Sequence, residues 1–509
     1  MPGKEDNQIL WAAKRQIIPA YNAARTHHNY KNQKFTMRTL AEAILAIVGE
    51  TISNSKAVVR MAVEDIPYNC FVCEKSTLAL VKEKATQVEA EARQYKRIAK
   101  LTETRILVGW LIDGKVYLAL FTYNQGNNRW VRSSLVHQVQ GKQSLNVRHF
   151  DLIGMSANVA VLGIIPEGDD STQYLLRISI LGDSLHEQGE ATPISHQFAT
   201  YISLCRLTDT KFMCAVWGYD WLNPETNNAD VYKGQTFVSE YEMYPFITSG
   251  TARQVFMETK IAFFGGRQFL SATKKSPDAL TMLAVDEHSV VLVRLPNYNA
   301  YVANSRISPH PTNAQVLIEN EAITHQSPLL GGTKICATLL PPNFILSCVT
   351  AQDKVFCFID KLDTNERILT TAILDGTPDN ISVKCIGQNA FIFLATWEDS
   401  TSASSQLVKL QYNEANNTIS ELGKVTNLKL GGSTLEVLNY NSAVICGNRL
   451  VQGNNNGNVL KLVVQPCSIS NGIAVAHRGD EIIGVSAIEA KAGDNVVFSG
   501  LAERYPEDD

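Results

Sequence analysis

KICATLLPPNFILSCVTAQDKVFCFIDKLDTNERILTTAI, residues Lys334 to Ile373, decides the fold. Four runs rich in β-branched and aromatic residues follow one another here: Ile335–Leu340, Phe344–Thr350, Lys354–Ile359 and Ile368–Ile373. The breaks between them are turn chemistry: Pro341-Pro342-Asn343, Ala351-Gln352-Asp353, and Asp363 to Glu366. Four short strands in some 40 residues is the size of one blade of a β-propeller.

Working outward, the same plan recurs without repeating the residues. Ile381–Ile386, Ala390–Thr396, Gln406–Tyr412 and Thr418–Leu422 form the next unit. Ile261–Phe264, Gln268–Thr273, Leu280–Val285 and Val290–Leu295 form another. Thr200–Leu207, Lys211–Trp217 and Gln235–Tyr241 form a third, with an insertion from Gly218 to Gly234. Asn158–Ile165 and Tyr174–Ile180 belong to a further blade. The first unit, Arg105–Leu111, Lys115–Tyr123 and Arg129–Leu135, is one strand short. A propeller must pair its last blade with its first or leave raw edges, and Thr434–Leu438 is the strand expected to fill that gap. Closed this way, the ring has about six blades, with Ala300 to Gly332 unplaced. Repeat length and offset closure favour a propeller over two β-sandwiches. No tryptophan–aspartate repeat, Asp box, kelch double glycine or Asp-x-Asp-x-Asp-Gly calcium loop marks the blades.

The flanks read differently. Residues 1–103 are expected to form a helical arm, 104–440 the propeller and 441–509 a small β-module. Asn7 to Arg25 and Thr36 to Val48 have helical spacing, with a β-like interruption at Ile52 to Val72. Leu78, Val81, Ala85, Val88, Ala92, Tyr95 and Ala99 follow a 3-4 spacing. That predicts a heptad helix capped by Ser76 that joins copies of the chain, a trimer being favoured, or else packs on its own chain. Its basic end (Arg93, Lys96, Arg97, Lys100, Arg105) reads as a solvated face, since no aromatic platform for nucleic acid accompanies it.

The chain has 509 residues, 45% hydrophobic and 19% charged, with net charge -4 and a sequence pI near 6.2. That balance lacks the basic stripe of a nucleic-acid-binding domain. No apolar run is long enough to cross a bilayer as a helix, and Met1 to Asn7 is not followed by a secretory h-region. Cys205, Cys214, Cys336, Cys348, Cys357 and Cys385 lie inside apolar runs, as reduced core cysteines do, pointing to a protein made in a cytosol.

Toward the end, Ile483-Gly484-Val485-Ser486-Ala487 leads to Ala492-Gly493-Asp494-Asn495-Val496-Val497-Phe498-Ser499-Gly500. This phrase resembles the small β-modules of bacteriophage structural proteins: tail fibres, head fibres and decoration proteins. Gly49-Glu50-Thr51-Ile52 followed by Ala57-Val58-Val59 resembles the opening half of such a module, which would then be split around the propeller. The resemblance implies a virion structural or attachment subunit, with other virion proteins and a host receptor or glycan as partners. An intracellular scaffold is the alternative.

Motifs for chemistry are sparse. Cys70-Phe71-Val72-Cys73 has no second pair for a zinc site. His27-His28 lacks a ligand partner, and His310 stands between two prolines. Glu398-Asp399 is a loop pair beside the expected channel, where a solvated turn is a better reading than a metal site. No nucleophile elbow, Walker loop or dinucleotide-binding turn is present. The expectation is a chain without catalytic residues, metal or cofactor. Its candidate binding residues are the loop aromatics Trp217, Tyr219, Trp221 and Tyr232, which suit a partner protein or a sugar face unless they cap the propeller core.

Overall fold

The structure is a computed structural model. It describes residues 57–500, except for internal stretches of which 89–94, 222–230, 245–254, 271–279, 295–300, 327–333 and 477–483 are the longest. The helices expected within residues 1–56, and His27-His28, lie outside the described residues. Every element among the described residues is β, and the chain divides into two compact units, one of residues 76–471 and one built from both flanks.

The larger unit is a seven-bladed β-propeller. Blade 1 is Lys96–Lys100, Arg105–Ile112, Lys115–Asn124 and Arg129–Arg132, and blade 2 is Val147–Ser156, Val159–Pro166, Tyr174–Leu181 and Ser184–Pro193. Blade 3 is Ala199–Arg206, Lys211–Trp221, Val231–Met243 and Phe256–Phe264, and blade 4 is Leu280–Ala284, Val290–Arg294, Tyr301–Pro309 and Leu317–Gln326. Blade 5 is Lys334–Leu340, Phe344–Ala351, Lys354–Lys361 and Arg367–Asp375. Blade 6 is Asn380–Gly387, Ala390–Glu398, Ala403–Asn413 and Thr418–Val425. Blade 7 is Gly431–Asn439, Ser442–Gln452, Asn458–Ser468 and, outermost, Ala79–Leu80. Neighbours within each blade pair antiparallel, and the seven innermost strands contact one another in a closed ring.

Packing explains why blades are visible in sequence at all. Each blade is covered on both faces by its neighbours, so its middle strands are predominantly apolar on both faces instead of alternating. Phe344–Ala351 is buried at all positions, whereas the outermost strand Arg367–Asp375 is mostly half-exposed. Separate hydrophobic clusters fill the seven interfaces. The one joining blades 7 and 1 contains Val88, Ile98, Val108, Trp110, Val444 and Leu462. Close approach at the hub requires glycine. A Cβ on Gly154, in the innermost strand of blade 2, would lie 2.1 Å from the Lys100 carbonyl oxygen of blade 1.

Three expectations are corrected. The ring has seven blades, because Tyr301–Pro309 and Leu317–Gln326 complete blade 4, while Phe256–Phe264 belongs to blade 3. Ser442–Gln452 and Asn458–Ser468, expected in a C-terminal module, are blade 7. Closure also runs the other way. Thr434–Leu438 pairs with Ser442–Gln452 of its own blade, and it is the early strand Ala79–Leu80 that completes the last blade. Thr86–Gln87 pairs with the same partner, Asn458–Ser468.

The heptad helix over Leu78 to Ala99 is absent, since strands occupy 79–80, 86–87 and 96–100. The apolar spacing serves the ring: Val88 and Ala99 are buried in interblade clusters, Leu78 and Ala85 pack between blades 6 and 7, and the Val88 N–H donates to the Leu462 carbonyl at 2.8 Å. A trimer joined through this stripe therefore loses its support; Val81 and Ala92 lie outside the described residues. The basic end is no solvated face either. Lys96 donates to the Gly432 carbonyl, Lys100 to that of Leu438, and Arg105 to that of Gly182.

The second unit draws strands from both flanks of the propeller sequence. Its sheet has the order Ala57–Met61, Asn495–Gly500, Gly484–Ser486, Phe71–Ser76, Asn471–Val475. Val58 pairs with Phe498 and Phe71 with Val485, so this sheet is built from segments on both sides of the propeller sequence. Ala62, Ile66, Val72 and Ala490 form its small core.

Candidate binding site at the hub of the ring

The innermost strands of all seven blades surround a cavity of about 380 Å³. Its charges come from strand positions, and ion pairs join neighbouring blades. Lys384 meets Glu436 at 2.6 Å between blades 6 and 7. Arg97 of blade 1 meets Asp151 of blade 2 at 3.1 Å, and the second Asp151 oxygen accepts the Leu204 N–H of blade 3 at 2.7 Å. One carboxylate thus ties three blades. Burial pushes its pKa up, against the pull of Arg97 and of the N–H groups of Leu204 and Leu152.

His149 stands two residues before Asp151 on the innermost strand of blade 2, 1% exposed. Its ring lies 4.1 Å from Tyr201 of blade 3 and 4.7 Å from Tyr95, which precedes the innermost strand of blade 1. Neither ring nitrogen has a hydrogen-bond partner. Burial, and then the nearby Arg97 guanidinium, hold its pKa well below the usual imidazole range, so the ring is neutral at pH 7. A neutral imidazole has one donor and one acceptor, and both are buried here without a partner.

The aromatic row continues into blade 3. Tyr201 pairs in register with Trp217, and both belong to the cluster packed against blade 4. Beyond the last rung with the innermost strand, Ala199 with Gly218, the hairpin of Lys211–Trp221 and Val231–Met243 runs on through Tyr219 with Gly234 and Trp221 with Tyr232. Gln268–Leu270 widens the sheet by pairing with Val231 to Lys233. By register, Trp217, Tyr219 and Trp221 are alternate residues of one strand, and Tyr232 is the cross-strand partner of Trp221. Trp217 packs against the cluster between blades 3 and 4, the core-capping role weighed for it, and its strand runs on into the extended hairpin.

A second polar knot joins blades 6, 7 and 1. Glu398 accepts from Asn448 at 2.8 Å, and its own N–H donates to Asp379 at 2.7 Å. The Lys96 amine is buried, donates to the Gly432 carbonyl at 3.1 Å, and is pushed down in pKa by burial despite Glu398. Glu398 is therefore a ring-closing residue and not a solvated turn; Asp399 lies outside the described residues. Cys73 of the C-x-x-C stretch is buried in the second unit, with Sγ 3.9 Å from the Val475 carbonyl, while Cys70 is half-exposed three positions away on extended chain. His310 accepts from the Thr312 N–H at 3.2 Å in an exposed turn.

Sequence reasoning named the aromatics Trp217, Tyr219, Trp221 and Tyr232, expected on a loop but lying on paired strands, and did not single out Tyr95, Arg97, His149, Asp151 and Tyr201 as hub residues. Single alternating positions on three separate strands carry no local motif. The usable signal was the rare pairing of a histidine and an aspartate, His149 and Asp151, within a strand-like apolar run.

The sequence matches no protein-family model and no curated protein. Solved structures similar to it include a mutant NanB sialidase from Streptococcus pneumoniae, at 9% identity and TM-score 0.38, covering 80% of this chain and 71% of that one. The uncharacterized protein lmo1340 from Listeria monocytogenes EGD-e aligns at 10% identity and TM-score 0.37, covering 71% and 94%. The NanB sialidase bound to a substituted ethanesulfonate aligns at 10% identity and TM-score 0.38, covering 76% and 70%. One expectation is corrected at this point. The expectation of a chain without catalysis does not stand: sialidases are among the similar structures, and a fold by itself does not fix function.

Proposed function

We propose that this chain is an attachment subunit whose propeller binds a glycan across the aromatic end of blade 3 and the adjoining hub. The observation that carries this reading is the row Tyr95, His149, Tyr201, Trp217, continued by register to Tyr219, Trp221 and Tyr232. Flat aromatic faces suit the C–H faces of a sugar ring. The split flanking sheet, with its resemblance to phage structural modules, supports a virion as the assembly that carries the propeller. Binding of the full-length protein to an immobilised glycan panel tests the reading. Trp221→Ala and Tyr219→Ala should each abolish capture while the melting temperature stays put. Capture that survives both substitutions, or no capture of any glycan, would overturn the glycan reading. Absence of the chain from purified phage particles carrying its gene would overturn the virion reading.

A further inference from the structure

Three cysteines stand side by side across blade 5. Cys336 on Lys334–Leu340 pairs in register with Cys348 on Phe344–Ala351, and Cys348 pairs with Cys357 on Lys354–Lys361. Directly opposed residues on adjacent strands share a face. All three belong to the cluster between blades 5 and 6, and the Cys348 thiol is within hydrogen-bonding reach of both others. The row has one open end. Cys348 and Cys357 are wholly buried, whereas Cys336 is half-buried and lines the central cavity. Antiparallel neighbours have Cα atoms about 4.5–5.5 Å apart, inside the window of about 4.4–6.8 Å that a disulfide accepts.

We propose that Cys336 and Cys348 form an oxidisable pair, with Cys336 the thiol that meets a peroxide through the hub cavity and Cys348 the thiol that resolves it. In the first step the Cys336 sulfur attacks one peroxide oxygen. The O–O bond breaks, Cys336 becomes a sulfenic acid, and water leaves after taking up a proton. In the second step the Cys348 sulfur attacks the Cys336 sulfur, the S–O bond breaks, and a second water leaves with the Cys348 proton. Two thiols and one hydrogen peroxide give one disulfide and two waters, the sulfurs being oxidised and the peroxide oxygens reduced. Burial keeps Cys348 and Cys357 in the thiol form, their pKa values raised well above the usual range. Cys348 therefore acts only after Cys336 has been activated beside it, and the new bond ties the innermost strand of blade 5 to its neighbour.

The test treats the folded full-length protein with hydrogen peroxide, blocks remaining thiols, and maps cross-linked peptides by mass spectrometry without reduction. The expected product is a single Cys336–Cys348 bond, with Cys357 alkylated only after denaturation. Cys336→Ser should abolish the reaction and leave Cys348 reduced. Cys348→Ser should trap Cys336 as a sulfenic acid that a cyclic 1,3-diketone captures. If Cys348→Ser does not fold, Cys348→Ala replaces it in the same assay. A Cys348–Cys357 bond with Cys336 free, a Cys336 sulfinic acid without cross-link in the unmutated protein, or no reaction at all would each overturn the proposal.

Discussion

Replacing Val88 by Asp tests the closure of the ring directly. Val88 is fully buried between blades 7 and 1, beside Thr86–Gln87, which pairs with Asn458–Ser468. Losing the buried valine side chain removes about 1.5–3 kcal/mol. Leaving an unpaired carboxylate in its place costs roughly another 3–5 kcal/mol, whether it stays charged or takes a proton. The sum, on the order of 5–8 kcal/mol, is comparable with the whole stability of an ordinary domain, about 5–15 kcal/mol. The expected outcome is a ring that no longer closes: lost cooperative melting by circular dichroism, and aggregation through the bared edge of Asn458–Ser468. Val88→Ile, which keeps the apolar character, should melt close to the unmutated protein. The competing reading of this stretch, a heptad seam between copies, predicts something else: a larger particle that becomes a well-folded monomer on light scattering. Observation of that folded monomer, or an unchanged melt, would refute the closure argument.

Further outcomes follow from the hub. Gly154→Ala should lower stability by at least about 1–3 kcal/mol, because its Cβ meets backbone and not a movable side chain; a urea titration with unchanged midpoint would contradict this. His149 has its folded-state pKa depressed, so between that value and the unfolded one near 6.5 the unfolded chain binds the extra proton. Stability should therefore fall as pH drops below about 6.5, by up to about 1.4 kcal/mol per pH unit. His149→Phe should flatten that slope, and an identical slope in the variant would defeat the assignment. Asp151→Ala strips Arg97 of its partner and leaves the Leu204 N–H unpaired. A loss of about 3 kcal/mol is expected by denaturant titration, and a neutral effect would show that the three-blade tie is not energetic.

Blade 5 was legible because its physics is local. Phe344 to Ala351 is buried throughout and apolar at all but Ser347 and Thr350, covered on both faces, and the turn after it places Gln352 and Asp353 at positive φ, as a two-residue hairpin requires. Blade 7 was not, because Gly453 to Gly457 reads as the turn of a separate module and its outermost strand lies more than 350 residues earlier in the chain. The stretch from Leu78 to Ala99 misled for a different reason. Its alanines satisfy a helical spacing, yet Val88 and Ala99 gain more by filling interblade clusters than a narrow stripe offers a lone helix. The hub site was hidden by distance, since Tyr95, His149 and Tyr201 meet only once three blades have assembled.

The pairing of Val58 with Phe498 sets a timetable for synthesis. A ribosome adding about 5–20 residues per second needs on the order of 20–90 s to travel from one to the other. Throughout that interval the strand Ala57–Met61 has emerged while its partner has not been made. The early strand Ala79–Leu80 waits almost as long for Asn458–Ser468. Both early strands therefore remain unpaired edges throughout these intervals, open to chaperones or to a neighbouring nascent chain. The ring can close only once Asn458–Ser468 has been made and the flanking sheet only once Asn495–Gly500 has, so a chain arrested before Asn458 has neither complete.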